Sequence, residues 1–504
     1  MKNSKRVFIN TLAQYGRTVF NMLLSLYTVR IVLETLGASD YGIYTVVAGV
    51  TSMLAFMTNA LISTTQRFMS FHHGKNDIEK MKEIFSNSEI LHLVVGVFIA
   101  IILTSLTPFL FDGFLNIPIE RIDATRNVYY IVIAILFVTF CTAPFRALLV
   151  SHENIVYISL IDIMDGIFKV ALVLTLPFIS CDKLVSYGCI LLLVQLFNFF
   201  AFSIFSFRKY EECIFPRISL FNFAYVKELS SYAGWVIYGM GCVMGRSQGI
   251  AIVLNRFLST VANAAYGLGF HISSAVSTVS NAFLNAMRPQ IIKSEGAGDR
   301  GRALRLSTML CKFSFFLLSA ICVPICFEMP DILKLWLKDV PEYTVLFARM
   351  ALIAGMVDTL TLGLSVTNEA IGNIRNYNLV ISTLKLTTLP LIWVCLYYHL
   401  NLVYIPITYI AIELVSACIR IPFLHKTGGL NIISFVKNNI MREFAVLLIL
   451  LIMEFALVYF LNFSLRFLVT IPVSVICYTI AIYFIGLNSD EKKYLKNLFC
   501  KKKS

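Results

Sequence analysis

The chain has 504 residues, 58% of them hydrophobic and 14% charged, with a mean hydropathy of +0.78. Soluble domains carry about 25% charged residues, which excludes a soluble enzyme. The excess of 42 Lys and Arg over 29 Asp and Glu is explained below by membrane topology, so nucleic acid is not an expected partner. Apolar runs long enough to cross a hydrocarbon core of about 30 Å recur from end to end. The expected class is an all-α polytopic membrane protein.

The predicted spans run 8–32, 41–65, 88–111, 128–150, 155–179, 184–207 and 230–254, then 264–287, 306–327, 344–368, 376–398, 401–424, 443–462 and 464–486. The opening MKNSKR resembles a signal peptide, but no A-x-A-like site follows and Arg17 interrupts the apolar run, so an uncleaved first span is expected. A charge at bilayer depth costs about 3 kcal/mol on insertion scales. In the first span Arg17 shares one helical stripe with Asn10, Gln14, Asn21, Ser25 and Thr28. Such a stripe must face protein or water rather than lipid. Arg30, near the outer end, can snorkel. The second span repeats the pattern with Ser52, Asn59, Ser63 and Gln66, and the eighth with Ser274, Ser277, Asn281 and Asn285 beside His271.

Further along lie Asp162, Asp165 and Lys169 in the fifth span, Arg246 in the seventh, Asp358 in the tenth and Lys385 in the eleventh. Asp165 and Lys169 form an i,i+4 pair that can neutralise itself within its helix. Asp358, Thr361, Ser365 and Asn368 form another stripe, open to either helix packing or cavity lining. Glu413 and Arg420 are two turns apart and can pair with other helices, Glu454 reads as packing or partner contact, and Lys312, Arg349 and Arg420 sit close enough to span ends to snorkel. Cys322 and Cys326, one turn apart in CVPIC, have no histidines or further paired cysteines near them and read as packing rather than zinc ligands. Arg17 and Arg246 have no partner within their own helices. Two cations facing a shared cleft favour an anionic ligand, and guanidinium suits phosphate. An acid in the same cleft, Asp358 first, could instead serve a proton or sodium ion.

Arg121, Arg126, Lys183, Arg256, Lys334, Lys338 and Arg466 are the only Lys and Arg in one alternating set of loops, and the opposite set carries several times more, including six lysines from Lys492 to Lys503. The positive-inside rule then places both termini in the cytoplasm. The longest outer loops, FDGFLNIPIERIDATR and EMPDILKLWLKDVPEY, are too short for a folded domain. No G-x-x-x-x-G-K-[ST] cradle occurs, and EGAGDRGRAL lacks its spacing. Function is therefore expected between the helices, with no cofactor and no bond chemistry.

The two halves resemble each other. IVL at 31–33 recurs at 252–254, an offset of 221; NALISTTQR (59–67) matches NAFLNAMR (281–288) with one gap; GKND (74–77) matches GAGD (296–299) at offset 222. A six-helix unit used twice divides the chain into an N-lobe, 1–212, a C-lobe, 213–428, and a helix pair with basic tail, 429–504. Both copies start from the same side, so the repeats are parallel, and transporters commonly place their site at such an interface.

RIVLETLGASDYGIYTVVAGV, followed by TTQRFMSFHHGKND, resembles the polysaccharide-transport branch of the multidrug/oligosaccharidyl-lipid/polysaccharide exporter superfamily, in particular the Wzx-type O-antigen or capsule repeat-unit flippases. The resemblance implies two six-helix lobes around a central cavity, as in the MATE exporters, with a further terminal pair. It implies alternating-access flipping of undecaprenyl-diphosphate-linked oligosaccharide across the bacterial inner membrane; because nucleotide-binding motifs are absent, the energy is expected from a sodium or proton gradient or from consumption of product outside. Polysaccharide polymerase and chain-length machinery are implied partners, beside the lipid-linked cargo and membrane lipids. On this reading Arg17, Arg246, Lys385 and Arg30 hold the diphosphate, Gln14, Asn21, Asn59 and Asn281 meet the sugars, and Asp358, Asp162 and Asp165 are the coupling-ion acids. Two other readings are an exporter of drugs or organic cations, whose cavity should be acidic, and a membrane polymerase or ligase, which typically needs a large outer loop.

Overall fold

The computed structural model describes residues 2–52, 54–111, 118–217, 220–258, 260–336, 340–461, 463, 465–488 and 491–492. The chain is all-α. We label its main helices α1 (Lys2–Ser52), α2 (Ala55–Lys75), α3 (Ile78–Ser105), α4 (Ile122–Ser151), α5 (Ile155–Val173), α6 (Lys183–Lys209), α7 (Phe223–Phe257), α8 (Thr260–Gly296), α9 (Arg300–Trp336), α10 (Thr344–Thr359), α11 (Leu362–Ile371), α12 (Ile374–Tyr397), α13 (Tyr404–Gly428), α14 (Ile432–Phe460) and α15 (Phe467–Gly486). Each predicted span falls on helix, but the second, 41–65, is divided between the end of α1 and the start of α2, and the tenth between α10 and α11. Among the described residues, nine helices are long and apolar enough to cross a membrane, or ten if the bent pair α10 and α11 counts as one span. The helices outside that count are α1, α2, α5 and α8, which carry the polar stripes and the charges of the fifth span.

Helix boundaries follow from local chemistry. Asp77 and Asp182 cap α3 and α6 by accepting the N–H groups of Lys80 and of Leu184 and Val185. α1 changes direction at Gly37, whose φ of 77° and ψ of 167° interrupt the helix where a side chain would be strained. That corner belongs to LGASDYGIY, and its neighbours explain the motif. Asp40 accepts from Arg121, which also reaches Asp182 at 2.6 Å, and Tyr44 packs edge-on against Tyr187 with ring centroids 4.9 Å apart. Burial works to raise the carboxyl of Asp182, but the bond from Arg121 and the capping N–H groups outweigh it and hold it below its ordinary value.

Contacts divide the chain into two units, Phe8–Ile237 and Tyr238–Ser504 with Met1–Val7. The division falls inside α7, whereas the sequence places its boundary at 212. The segment before α7 and its first turns pack on the first unit: Asn87 bonds the backbone of Leu220 and Asn222, and Tyr232 meets Phe68 at 5.6 Å. In the first unit α4 packs on α2, α3 and α6, and α5 on α6. In the second, α10 packs on α8, α9 and α13, and α12 on α13. The same partners meet in the same order, as the repeat in the sequence requires. The terminal pair, α14 and α15, packs on α9 within the second unit.

Large apolar side chains on one face of α3, among them Val94, Phe98 and Ile101, are exposed, as on a lipid-facing surface. The second unit also contains two breaks. α10 and α11 meet at a bend of 49°, and α12 is interrupted at Thr387. Both breaks lie within two residues of a charged side chain, Asp358 and Lys385 respectively.

Candidate functional site

The first unit gathers its charges where α1 meets α5. Gly166 permits the approach, since a Cβ there would stand 2.8 Å from Leu24 and 3.1 Å from Asn21. Arg17 Nη1 lies 2.5 Å from Asp162 Oδ2, and Asn21, one turn on, donates to the Asp162 carbonyl at 3.1 Å. Arg146, in the last turns of α4, grips the same carboxylate with both arms, Nη1 to Oδ1 at 3.0 Å and Nη2 to Oδ2 at 2.8 Å. Two guanidiniums thus share one carboxylate. Asp165 accepts from Asn198 of α6 and lies within electrostatic reach of Lys169. Its main partner is across the helix interface rather than within its own helix.

The second unit builds a corresponding cluster from α7, α10, α12 and α13. Arg246 pairs with Glu413 at 2.6 Å and lies over the Tyr409 ring, 4.4 Å from its centroid. Lys385 bridges Glu413 at 2.9 Å and Asp358 at 2.8 Å. Arg420 donates to the Asp358 carboxylate at 2.8 Å, and to its carbonyl and Thr361 Oγ1 at 3.3 Å each. The last two acceptors lie at the break between α10 and α11, where the Asp358 carbonyl also takes the Thr361 N–H at 3.4 Å, so one guanidinium reinforces the bend. Arg420 is buried and does not snorkel, because its partners lie inward. Lys312 is buried too, donating to Glu491 at 3.0 Å, so it is paired rather than extended toward water.

Each cluster therefore contains three cations and two carboxylates: Arg17, Arg146 and Lys169 with Asp162 and Asp165; Arg246, Lys385 and Arg420 with Glu413 and Asp358. Among the described residues each keeps one cation in excess. They differ in what they present. Arg17 and Arg146 are 22% and 34% exposed. Arg246, Lys385 and Arg420 are 6%, 9% and 5% exposed, and the accessible member of their cluster is Asp358 at 31%.

Of the other predicted site residues, Gln14 is buried within the stripe of α1, near Asn10, which donates to the Glu153 carbonyl at 3.0 Å. The inner part of that stripe is thus a seam packed against the turn that leads into α5. The stripe of α10 and α11 is likewise a seam: Tyr377 donates to Ser365 at 2.6 Å and Thr427 to Asn368 at 2.8 Å. Asn59 on α2 and Asn281 on α8, which align in the repeat, are both exposed. The side chain of Arg30 and the tail lysines from Lys493 onward lie outside the described residues. Arg146 and Arg420 are the members not among the predicted site residues, Arg420 reading as a span end. Both lie inside predicted spans, which was the available signal.

The sequence profile described as polysaccharide biosynthesis protein matches residues 4–295. No curated protein matches the chain. Among solved structures, a MOP-superfamily transporter from Pyrococcus furiosus, described as having a binding pocket of reverse polarity that suggests a different function, is 13% identical. It aligns over 86% of this chain and 96% of its own with a TM-score of 0.72. A MATE transporter in its bent conformation is 13% identical over 87% and 97% of the two chains, TM-score 0.74. A multidrug-resistance MATE transporter in an outward-facing conformation is 13% identical over 86% and 97%, TM-score 0.70.

Proposed function

Because the chain belongs to the polysaccharide biosynthesis protein family and has the fold of the MOP-superfamily transporters, we propose that it is a flippase for lipid-linked oligosaccharides. It takes the diphosphate of the cargo on the first-unit cluster. The observation that carries this reading is that Arg17 and Arg146 share the single carboxylate of Asp162 while both remain partly exposed. Guanidinium forks match phosphate oxygens in geometry as well as charge. The cation in excess can be neutralised by an anionic group entering from outside the protein.

The exposed amides of Asn59 and Asn281, at aligned positions of the two repeats, suit the hydroxyls of the sugars. No bond need be made or broken. The buried cations of the second unit are committed to Glu413 and Asp358, so Arg246 and Lys385 are assigned to holding α7, α12 and α13 together. An exporter of organic cations would need a free acid, and Asp358, held by Lys385 and Arg420, does not supply one.

The test is complementation of a strain lacking its flippase, with lipid-linked repeat units assayed on each leaflet. Cytoplasmic-leaflet accumulation in Arg17→Ala and Arg146→Ala variants that insert normally is expected. Full transport by both variants would remove the diphosphate site.

A further inference from the structure

We propose that Asp162 is a tethered counter-anion: it occupies the guanidiniums of Arg17 and Arg146 in the absence of cargo and is displaced by the cargo's anionic group. This rests on the reading of the cluster as the site for that group.

The geometry of the carboxylate is that of a ligand. Asp162 fills the fork of Arg146 with two parallel bonds, at 2.8 and 3.0 Å, and takes a third from Arg17 at 2.5 Å. A phosphate in the same fork would use the same arms. The exposure of the trio, 17% for Asp162 with 22% and 34% for the arginines, leaves the bonds open to competition. The Arg246–Glu413 pair of the second unit, 6% and 4% exposed, is closed to it.

Releasing the carboxylate need not unseat the helix that carries it. α5 is held on α1 by backbone and packing contacts that do not involve the Asp162 side chain: the Asn21 amide on the Asp162 carbonyl, and the close approach at Gly166. The side chain is thus free to exchange while its backbone stays fixed.

The arrangement also meets a requirement of any carrier, which must release what it binds. Two guanidiniums left half-buried without an anionic partner are unfavourable. With Asp162 waiting beside them, departure of the cargo exchanges one anionic partner for another. The same competition lowers affinity for the cargo. Asp162 is a positioning residue in this scheme, setting the balance between capture and release.

The experiment titrates inorganic pyrophosphate into the purified full-length chain, comparing wild type, Asp162→Asn, Asp162→Ser, Arg17→Ala and Arg146→Ala, with melting temperatures recorded alongside. Transport kinetics of lipid-linked cargo follow on the same variants. Asp162→Asn is expected to bind pyrophosphate about tenfold more tightly, the equivalent of one lost charge-assisted competitor, with a lower KM for cargo and a lower kcat. Asp162→Ser should do the same, which separates loss of charge from loss of fold. A merely structural role predicts weaker binding and a lower melting temperature together. If the Asp162 variants bind no more tightly than wild type while both arginine variants bind less, the counter-anion proposal is overturned and the anionic site stands. If pyrophosphate binding is indifferent to Arg17 and Arg146, the anionic site itself is wrong and the counter-anion falls with it.

Discussion

The two charged clusters have the same count of cations and carboxylates but opposite economies of space. The first leaves its guanidiniums partly open and shares one carboxylate between them. The second closes its cations to about a tenth exposure or less and leaves an acid, Asp358, at its edge. A buried ion pair costs much to break because the survivor remains charged in a low dielectric, while an accessible one can be re-solvated or re-partnered. Equal numbers of charges therefore do not imply equal roles: under the proposed function the closed cluster fixes helices and the open one takes the ligand.

That contrast is broken most directly at Arg420. Arg420→Ala strips Asp358 of one cation and removes one of the donors to its carbonyl at the α10–α11 break. A loss of about 3–5 kcal/mol is expected, read as a lower melting temperature of the purified protein. A change within error would mean that the closed cluster does not hold the second unit together. Glu413→Gln comes next: it leaves Arg246 and Lys385 buried with one negative charge fewer, for an expected cost of about 2–3 kcal/mol in the same assay. In the first unit Arg17→Ala should cost only about 1 kcal/mol, since Asp162 keeps Arg146. The same variant should lose transport, so stability and activity part company there and move together at Arg420. Asn59→Ala and Asn281→Ala, both at exposed positions, should change stability by less than about 0.5 kcal/mol while raising the KM for cargo. A smaller effect is expected outside the spans at Asp182, whose carboxyl is held below its ordinary value. Its contribution is present above that value and disappears as pH falls through the lowered one. The wild type should therefore lose slightly more stability on acidification than Asp182→Asn, by thermal unfolding across an acid pH series.

The class, the helices and the repeat were legible in the sequence because each rests on local pattern: apolar length, polar spacing and a constant offset. Arg17 and Arg246 stood out because a charge in an apolar run demands an explanation. Their partners could not be read, since Asp162 and Glu413 reach them across helix interfaces, a tertiary fact. The stripes were legible but not their destination. Spacing says that Asn10, Gln14 and Arg17 share a face, and only packing says that this face meets α5. Arg420 was missed because a charge near a predicted span end has a cheap explanation in snorkelling, and Arg146 because a cation at the inner end of a span fits the positive-inside pattern; the inward partners of both override those explanations.

The most direct test of the account is transport by the wild-type chain in proteoliposomes of two lipids with the same polyprenyl tail and the same sugar, one joined by a diphosphate and the other by a neutral ether. The account predicts movement of the diphosphate lipid alone, abolished in Arg17→Ala. Equal movement of both lipids, or movement of the neutral one alone, would contradict it.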